Sequence, residues 1–247
     1  MRPPLTAQAH WFAKHDRPDF AQEFLRRNAA YRAAWRGRAA PLAARKCLAE
    51  ARSWGLVRLF DPDRPVRAAP AIWRAECASQ IVSLAAAPAG LAGASPLPDI
   101  EPAIEFSVAD RRHLVFDIAG ARHRFEVLGT ELSAPLVILL PPLADALRAA
   151  TCDAARRMFA GLSMAEPLAA MRPSALQRHR LALLLSVLDA SVAGASNREI
   201  GMGIVYPWLA GTDAAAWKAM SERRRVQRLL AEALALAAGG YRRLLSG

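Results

Sequence analysis

Between residues 102 and 140 the hydrophobic period of this chain changes, and that change limits the folds open to it. The segments "AIEFSVA", "HLVFDIA" and "HRFEVLG" are β-branched and aromatic with partial alternation, and Asp110-Arg-Arg and Gly120-Ala-Arg separate them as turns. They predict a small antiparallel sheet, with "PLVILLPPL" as a candidate fourth strand. On both sides the apolar spacing is helical. The expected class is therefore α+β: mostly helical, with a small antiparallel sheet in the middle and a helical bundle at the C-terminal end.

Before the sheet, residues 16–37 predict one helix, with Asp16 as N-cap, Pro18 in the first turn and Gly37 as its stop. Phe20, Phe24, Tyr31 and Trp35 recur at helical spacing in it. A second helix is expected over 42–54, ending at Gly55, and "LVRLF" (56–60) reads as a short strand closed by the turn "DPDRP". After Pro70, "AIWRAECASQIVSLAAA" predicts a short helix. "PAGLAGASPLPD" (88–99) has linker composition, so the expected division is a helical module over 1–87, a linker over 88–99 and a C-terminal unit over 100–247. Beyond the sheet, 143–161 and 173–194 read as helices that stop at Gly161 and Gly194.

Charge is distributed unevenly over the 247 residues. Residues 1–60 hold 12 Lys+Arg against 4 Asp+Glu (+8), residues 61–170 hold 10 against 13 (−3), and residues 171–247 hold 11 against 5 (+6). Arginine-rich composition alone would not confine the excess to the two ends. Two basic ends suggest a polyanion partner, nucleic acid first and an anionic membrane surface second. The longest apolar run, Ala134–Ala144, has eleven residues with three prolines, short of the ~20 that span a bilayer. "MRPPLTAQAHW" has no apolar leader core. Cys47, Cys77 and Cys152 are dispersed, without CxxC spacing, as in a reducing compartment. A cytoplasmic protein is expected.

No catalytic constellation is visible. His10, His15 and Cys47 lack zinc-ligand spacing, Asp61 and Asp63 are turn residues, and Ser163 and Ser174 have no nucleophile-elbow context. Gly201-Met-Gly203 follows a helical pattern rather than a strand, so it is not a phosphate loop. No enzyme, cofactor or metal is expected. Arg26 and Arg27 read either as a solvated helix face or as a second polyanion contact.

The informative stretch is Gly194-Ala-Ser-Asn-Arg-Glu-Ile200. Ser196 and Glu199 form a capping box, so a short helix over about 197–204 opens two residues after the previous one stops. The two helices must then meet at a sharp angle. A further helix starts at Asp213 and carries "AAAWKAMSERRRVQRLLAEALALAAGG". At 100° per residue, Ala219, Val226, Leu230, Ala233 and Ala237 form one stripe, and Lys218, Ser221, Arg224, Arg225 and Arg228 lie opposite. Arg223 lies nearer the apolar stripe. This is the pattern of a helix-turn-helix reader, with cations and a hydroxyl turned to a major groove. Lys218 and Ser221 suit base edges, and Arg225 and Arg228 suit phosphates. The connection "GMGIVYPWLAGT" (201–212) is longer than a minimal turn. A protein-interaction module whose basic faces meet an acidic partner is the rival reading.

"LLSVLDASVAGASNREI", a Trp-containing loop and "RRRVQRLLAEALALAAGGYRRLL" together resemble the DNA-binding domain of RovC-type activators of type VI secretion genes, and the related FseA-type activators of integrative and conjugative element excision. "FAQEFLRRNAAYRAAW", "SWGLVRLFDPD" and "IWRAE" resemble the small transcriptional-regulator module that precedes it. The resemblance implies a transcriptional activator on double-stranded DNA and homo-oligomerisation, hexameric in the RovC type, with RNA polymerase or an antiactivator as further partners. It implies DNA contacts at Lys218, Ser221, Arg224, Arg225 and Arg228, together with Arg198, Arg242 and Arg243. Tyr241 is expected in the core or on the DNA backbone.

Overall fold

A computed structural model describes residues 12–38, 43–118, 120–129, 134–163 and 165–246. Helix α1 (Arg17–Leu25) opens on a capping box built from two aspartates: Asp16 accepts the Asp19 N–H at 2.9 Å, and Asp19 accepts the Asp16 N–H at 3.4 Å. The single helix expected over 16–37 is in fact two. Asn28 accepts the Tyr31 N–H at 2.9 Å and caps a new helix, α2 (Ala29–Gly37). An asparagine side chain that competes for backbone N–H groups favours a cap over a helix interior. The break turns Tyr31 inward, where its hydroxyl donates to the Phe60 carbonyl at 2.8 Å. Helix α3 (Ala43–Ser53) ends before Gly55, which takes φ +78°; its expected start at Leu42 lies outside the described residues.

Two elements before residue 90 differ from expectation. "LVRLF" forms no strand; Leu56 makes only a lone bridge to Trp73. The expected helix after Pro70 is absent too, and its second half is strand β1 (Ile81–Ala86). The alanines there carry a helical signal, but burial on both sides of a sheet overrides propensity.

Strands β2 (Ile104–Val108), β3 (Arg111–Ile118) and β4 (Ala121–Leu128) form the expected antiparallel meander, and β5 (Leu136–Leu139) is also a strand. The sheet order is β2-β3-β4-β1-β5. Because β1 runs parallel to β4 and antiparallel to β5, the sheet is mixed rather than antiparallel. The 88–99 stretch joins two strands of this one sheet, and Ser95 within it bridges to Leu136.

Helix α4 (Ala146–Phe159), capped by Asp145, covers one sheet face. Phe125 and Val127 of β4 meet its Cys152 and Ala155 there. The alternate residues of β4, Arg122 and Arg124, point at α1, so this strand is buried on both faces. Helix α5 (Ala165–Met171) falls in a stretch with no sequence signal. Helix α6 (Ala175–Val192) has a Ser174/Gln177 capping box and precedes Gly194 at φ +88°.

After α6 come α7 (Asn197–Ile200), a π turn (Gly201–Val205), a 3-10 turn (Pro207–Leu209), α8 (Ala214–Ala219), α9 (Ser221–Ala237) and a final 3-10 turn (Gly240–Leu244). The two ends of the chain share one core: Phe20, Phe24, Tyr31 and Trp73 pack with Leu184 and Leu188 of α6, Leu229 and Ala233 of α9, and Tyr241 and Leu245. Tyr241 is fully buried and its hydroxyl donates to the Trp54 carbonyl at 2.9 Å. No helix among the described residues is long and apolar enough to cross a membrane.

Candidate nucleic-acid interface

The reversal at Gly194 and the capping box after it fix how the last helices leave α6. Glu199 accepts the Ser196 N–H at 2.8 Å, and Ser196 accepts the Glu199 N–H at 3.3 Å. The short helix and its π turn run together over 197–205, close to the expected span. Asp213 caps α8 through the Ala215 and Ala216 N–H groups, both at 2.8 Å. Those N–H groups hold the Asp213 carboxyl below the usual carboxylate range.

The long helix expected from Asp213 breaks at Met220, whose ψ of 144° is extended. The geometry of the core explains the break. Trp217 and Val226 are nine residues apart, about half a turn out of phase on a straight helix. Both are buried against Val187 and Ile200. Only a bend lets them face one core. Trp217 also packs against Gly201, where a Cβ would come within 2.4 Å of its indole. Along the expected stripe, Val226, Ala233 and Ala237 are buried, Leu230 is half-buried and Leu229 joins them, whereas Ala219 is exposed beyond the bend.

The opposite face of α9 is open. Ser221, Arg224, Arg225 and Arg228 are exposed, and Lys218 is exposed on α8 just before the bend. Ser221, Arg224 and Arg228 line a shallow groove with Gln227 and Ala231. Gln227 carries no charge, so charge patterning in the sequence does not mark it. No ion pair engages the side chains of Lys218, Arg224, Arg225, Arg228 or Arg243 among the described residues; Ser221 donates to Glu222 at 3.0 Å. Arg223 bridges the bend by donating to the Lys218 carbonyl at 3.4 Å. Trp208, in the 3-10 turn between α7 and α8, is 74% exposed and edge-on to Tyr206 at 5.5 Å.

Two of the remaining candidates, Arg198 and Arg242, have protein partners. Arg198 donates to the Thr212 carbonyl and holds the loop before α8. Arg242 donates to the Ser53 carbonyl and ties the last turn to α3, while Arg243 is exposed. Arg26 donates to the Pro62 carbonyl at 2.7 Å, and Arg27 clamps Asp189 at 2.7 and 3.0 Å while pairing with Glu23. The idea of a second polyanion contact therefore fails at Arg27, whose three nitrogens are all engaged by Glu23 and Asp189, whereas Arg26 uses one donor on Pro62 and lies 3.5 Å from Glu23. His15, His113 and His123 are buried, Cys47, Cys77 and Cys152 are free thiols, and no metal-binding group of three was found among the described residues; His10 lies outside them.

Residues 139–246 match the model of the RovC-type "T6SS, Transcription factor, DNA binding domain", which takes in α4 to the final turn. Residues 6–57 match that of the "Proteobacterial transcriptional regulator-like domain", which takes in α1 to α3. No curated protein and no solved structure matches the chain. Two matches in this order, the second taking in the open cationic face, indicate a DNA-binding transcriptional regulator whose C-terminal region is similar to the RovC-type DNA-binding domain.

Proposed function

We propose that this protein is a sequence-specific transcriptional activator that lays α9 in the major groove of double-stranded DNA. The observation that carries the reading is the α8–α9 face: four cations and a hydroxyl, free of carboxylates among the described residues apart from the Ser221–Glu222 contact, on a helix whose opposite side is locked in the core. The α7 segment and its π turn then act as the buttressing helix of a helix-turn-helix with an extended loop. Lys218 and Ser221, near the bend, suit base edges; Arg224, Arg225 and Arg228 suit guanine or phosphate. Type VI secretion genes are the target class that the matched domain's description suggests, with mobile-element genes as the alternative. A homo-oligomer contacting RNA polymerase in the cytoplasm completes this reading, with residues 1–87 as the regulatory module and residues 100–247 as the DNA-binding unit.

The test is fluorescence anisotropy of the purified chain on its upstream duplex and on random duplexes across a salt series. Binding that favours the upstream duplex and weakens steeply with salt supports the reading. No binding at low salt overturns it. The exposed Trp208 favours a second reading, an adaptor or antiactivator that docks a protein, and that outcome would put it first.

A further inference from the structure

A cavity of about 790 Å³ opens beside the edge strand β5, between α4 and the 91–95 loop. Its wall is apolar: Leu84, Leu136, Ile138, Leu140, Cys152 and Phe159. Leu91 and Leu140, each 50% exposed, are apolar surface at the opening that a bound molecule would cover. The volume falls within the ~300–1,000 Å³ of small-molecule sites, and an apolar wall with a few polar groups is their usual build.

Two features narrow the ligand. The charged lining residues are Asp153 and Arg156, and they pair with each other, Arg156 donating at 2.8 and 3.1 Å. A carboxylate or an ammonium group entering here would give up its hydration to a lining of balanced charge, so a neutral molecule is favoured over either sign. The second feature is the backbone of β5. Pro135 accepts the Ala87 N–H at 2.8 Å, which sets the ladder phase: Val137 and Leu139 bond to β1, and the residues between them face the other way. Leu136 spends both its groups on Ser95, accepting the Ser95 N–H at 3.3 Å and donating to the Ser95 carbonyl at 2.8 Å. The N–H and C=O of Ile138 are turned to that same side, where the cavity lies, and have no backbone partner among the described residues.

We infer that this cavity binds a neutral aliphatic carboxamide, with its chain along Leu84, Leu136 and Phe159 and its amide on Ile138. The amide N–H donates to the Ile138 carbonyl, and the amide carbonyl accepts the Ile138 N–H. Extended backbone presents these two groups side by side, and an uncharged amide is a donor and an acceptor in one group. The site is separate from the α8–α9 face and does not rest on the DNA reading.

The probe is octanamide, titrated calorimetrically into the full chain. The controls are octanoate and octylamine below their micellar concentrations, and methyl octanoate, which accepts a hydrogen bond but donates none. The expected result is saturable 1:1 binding of octanamide, tighter than both charged probes by about tenfold and tighter than the ester by about threefold or more. Ile138→Pro removes the N–H from the outer edge of β5, where no ladder bond is lost, and should reduce octanamide to the affinity of the ester. Ile138→Val keeps the N–H and should keep the preference. Ala149→Trp and Ala92→Trp, which fill the cavity from exposed positions on α4 and on the loop, should each abolish binding; either one gives the reading if the other fails to fold. No saturable binding of octanamide, a charged probe or the ester binding as tightly, or binding that survives a folded tryptophan variant would each overturn the inference.

Discussion

Arg122 and Arg124 on β4 and Arg225 and Arg228 on α9 are the same residue type in opposite circumstances. The first two side chains are 1% and 4% exposed. Arg122 donates to Asp19 at 2.8 Å and to the Val66 and Arg67 carbonyls. Arg124 donates to Asp16 at 2.6 Å and to Asp19 at 3.0 Å. Burial alone would raise the pKa of Asp16, but the Arg124 guanidinium more than offsets it and holds the carboxyl ionised. Arg225 and Arg228 have no such carboxylates among the described residues and stand in solvent. Positive charge in the first region is consumed in docking a helix on a sheet. In the second it is left over, and leftover charge on a rigid helix is what a polyanion recognises. Net charge by region does not separate these cases; the supply of carboxylates around each guanidinium does.

Asp19→Ala breaks the first region most directly. It removes the carboxylate that the two buried guanidinium groups share, leaving Arg124 to Asp16 and Arg122 to Asp117 and two carbonyls. Breaking a buried pair of this kind typically costs about 3–5 kcal/mol. The urea unfolding midpoint should fall accordingly. A loss below about 1 kcal/mol would mean that the network does not hold α1 to the sheet.

Acid should test the same region from the other side of β4. Burial first, and then the charge of Arg124, push the His123 pKa down from 6.5 to about 4. Arg172 acts in the same direction, while Asp16 and Asp117 oppose it. Between those values the unfolded chain binds a proton that the folded chain refuses. Stability is therefore full above about pH 6.5 and falls by roughly 3 kcal/mol as the pH drops towards 4. His113, also depressed by burial, titrates in the same sense. Further down, Glu23 adds a second fall between 4.5 and about 2: burial opposes its ionised form, but His15 and Arg27 hold it. Unfolding free energies over pH 4–7 should show the first slope, and His123→Gln should flatten most of it. An unchanged slope in that variant would remove His123 as the cause.

Gly201→Ala asks whether the open face depends on its scaffold. The new Cβ would meet the Trp217 indole at 2.4 Å, so either the ring or α8 must move. Overpacking of this kind costs about 1–3 kcal/mol. If the proposed DNA reading holds, affinity for the upstream duplex should fall with every cation still in place. Unchanged stability would show that Trp217 has room to shift.

Much of this was legible in the sequence where the signal is local. The Ser196 capping box, the Asp213 cap, the stop at Gly194 and the β2–β4 meander each rest on residues within a few positions of one another. The misses are long-range. Strand β1 looks helical by composition and becomes a strand only because β4 and β5 flank it. The bend at Met220 has no glycine or proline to announce it; it follows from Trp217 and Val226 sharing a core that includes Val187 and Ile200. Arg122 and Arg124 alternate with apolar residues like a solvated strand face. Their partners lie more than a hundred residues away, in a capping box that is itself readable.

The smallest stability effect should come from Arg225→Ala with Arg228→Ala, the pair that sharpens the comparison best. Neither side chain pairs with a protein group among the described residues, so stability should stay within about 0.5 kcal/mol of the parent chain. If the proposed reading holds, the loss appears in DNA binding instead. Each removed phosphate contact should lower affinity across all duplexes and reduce the slope of log affinity against log salt by about one. A loss confined to one operator position, with the slope intact, would move these arginines from phosphate to base contacts. Unchanged affinity and slope would free them from the interface and leave Lys218, Ser221 and Arg224 to carry it. In either case the pair separates charge that holds the fold from charge that is spare, because the same substitution at Arg124 should unfold the chain before DNA binding is ever measured.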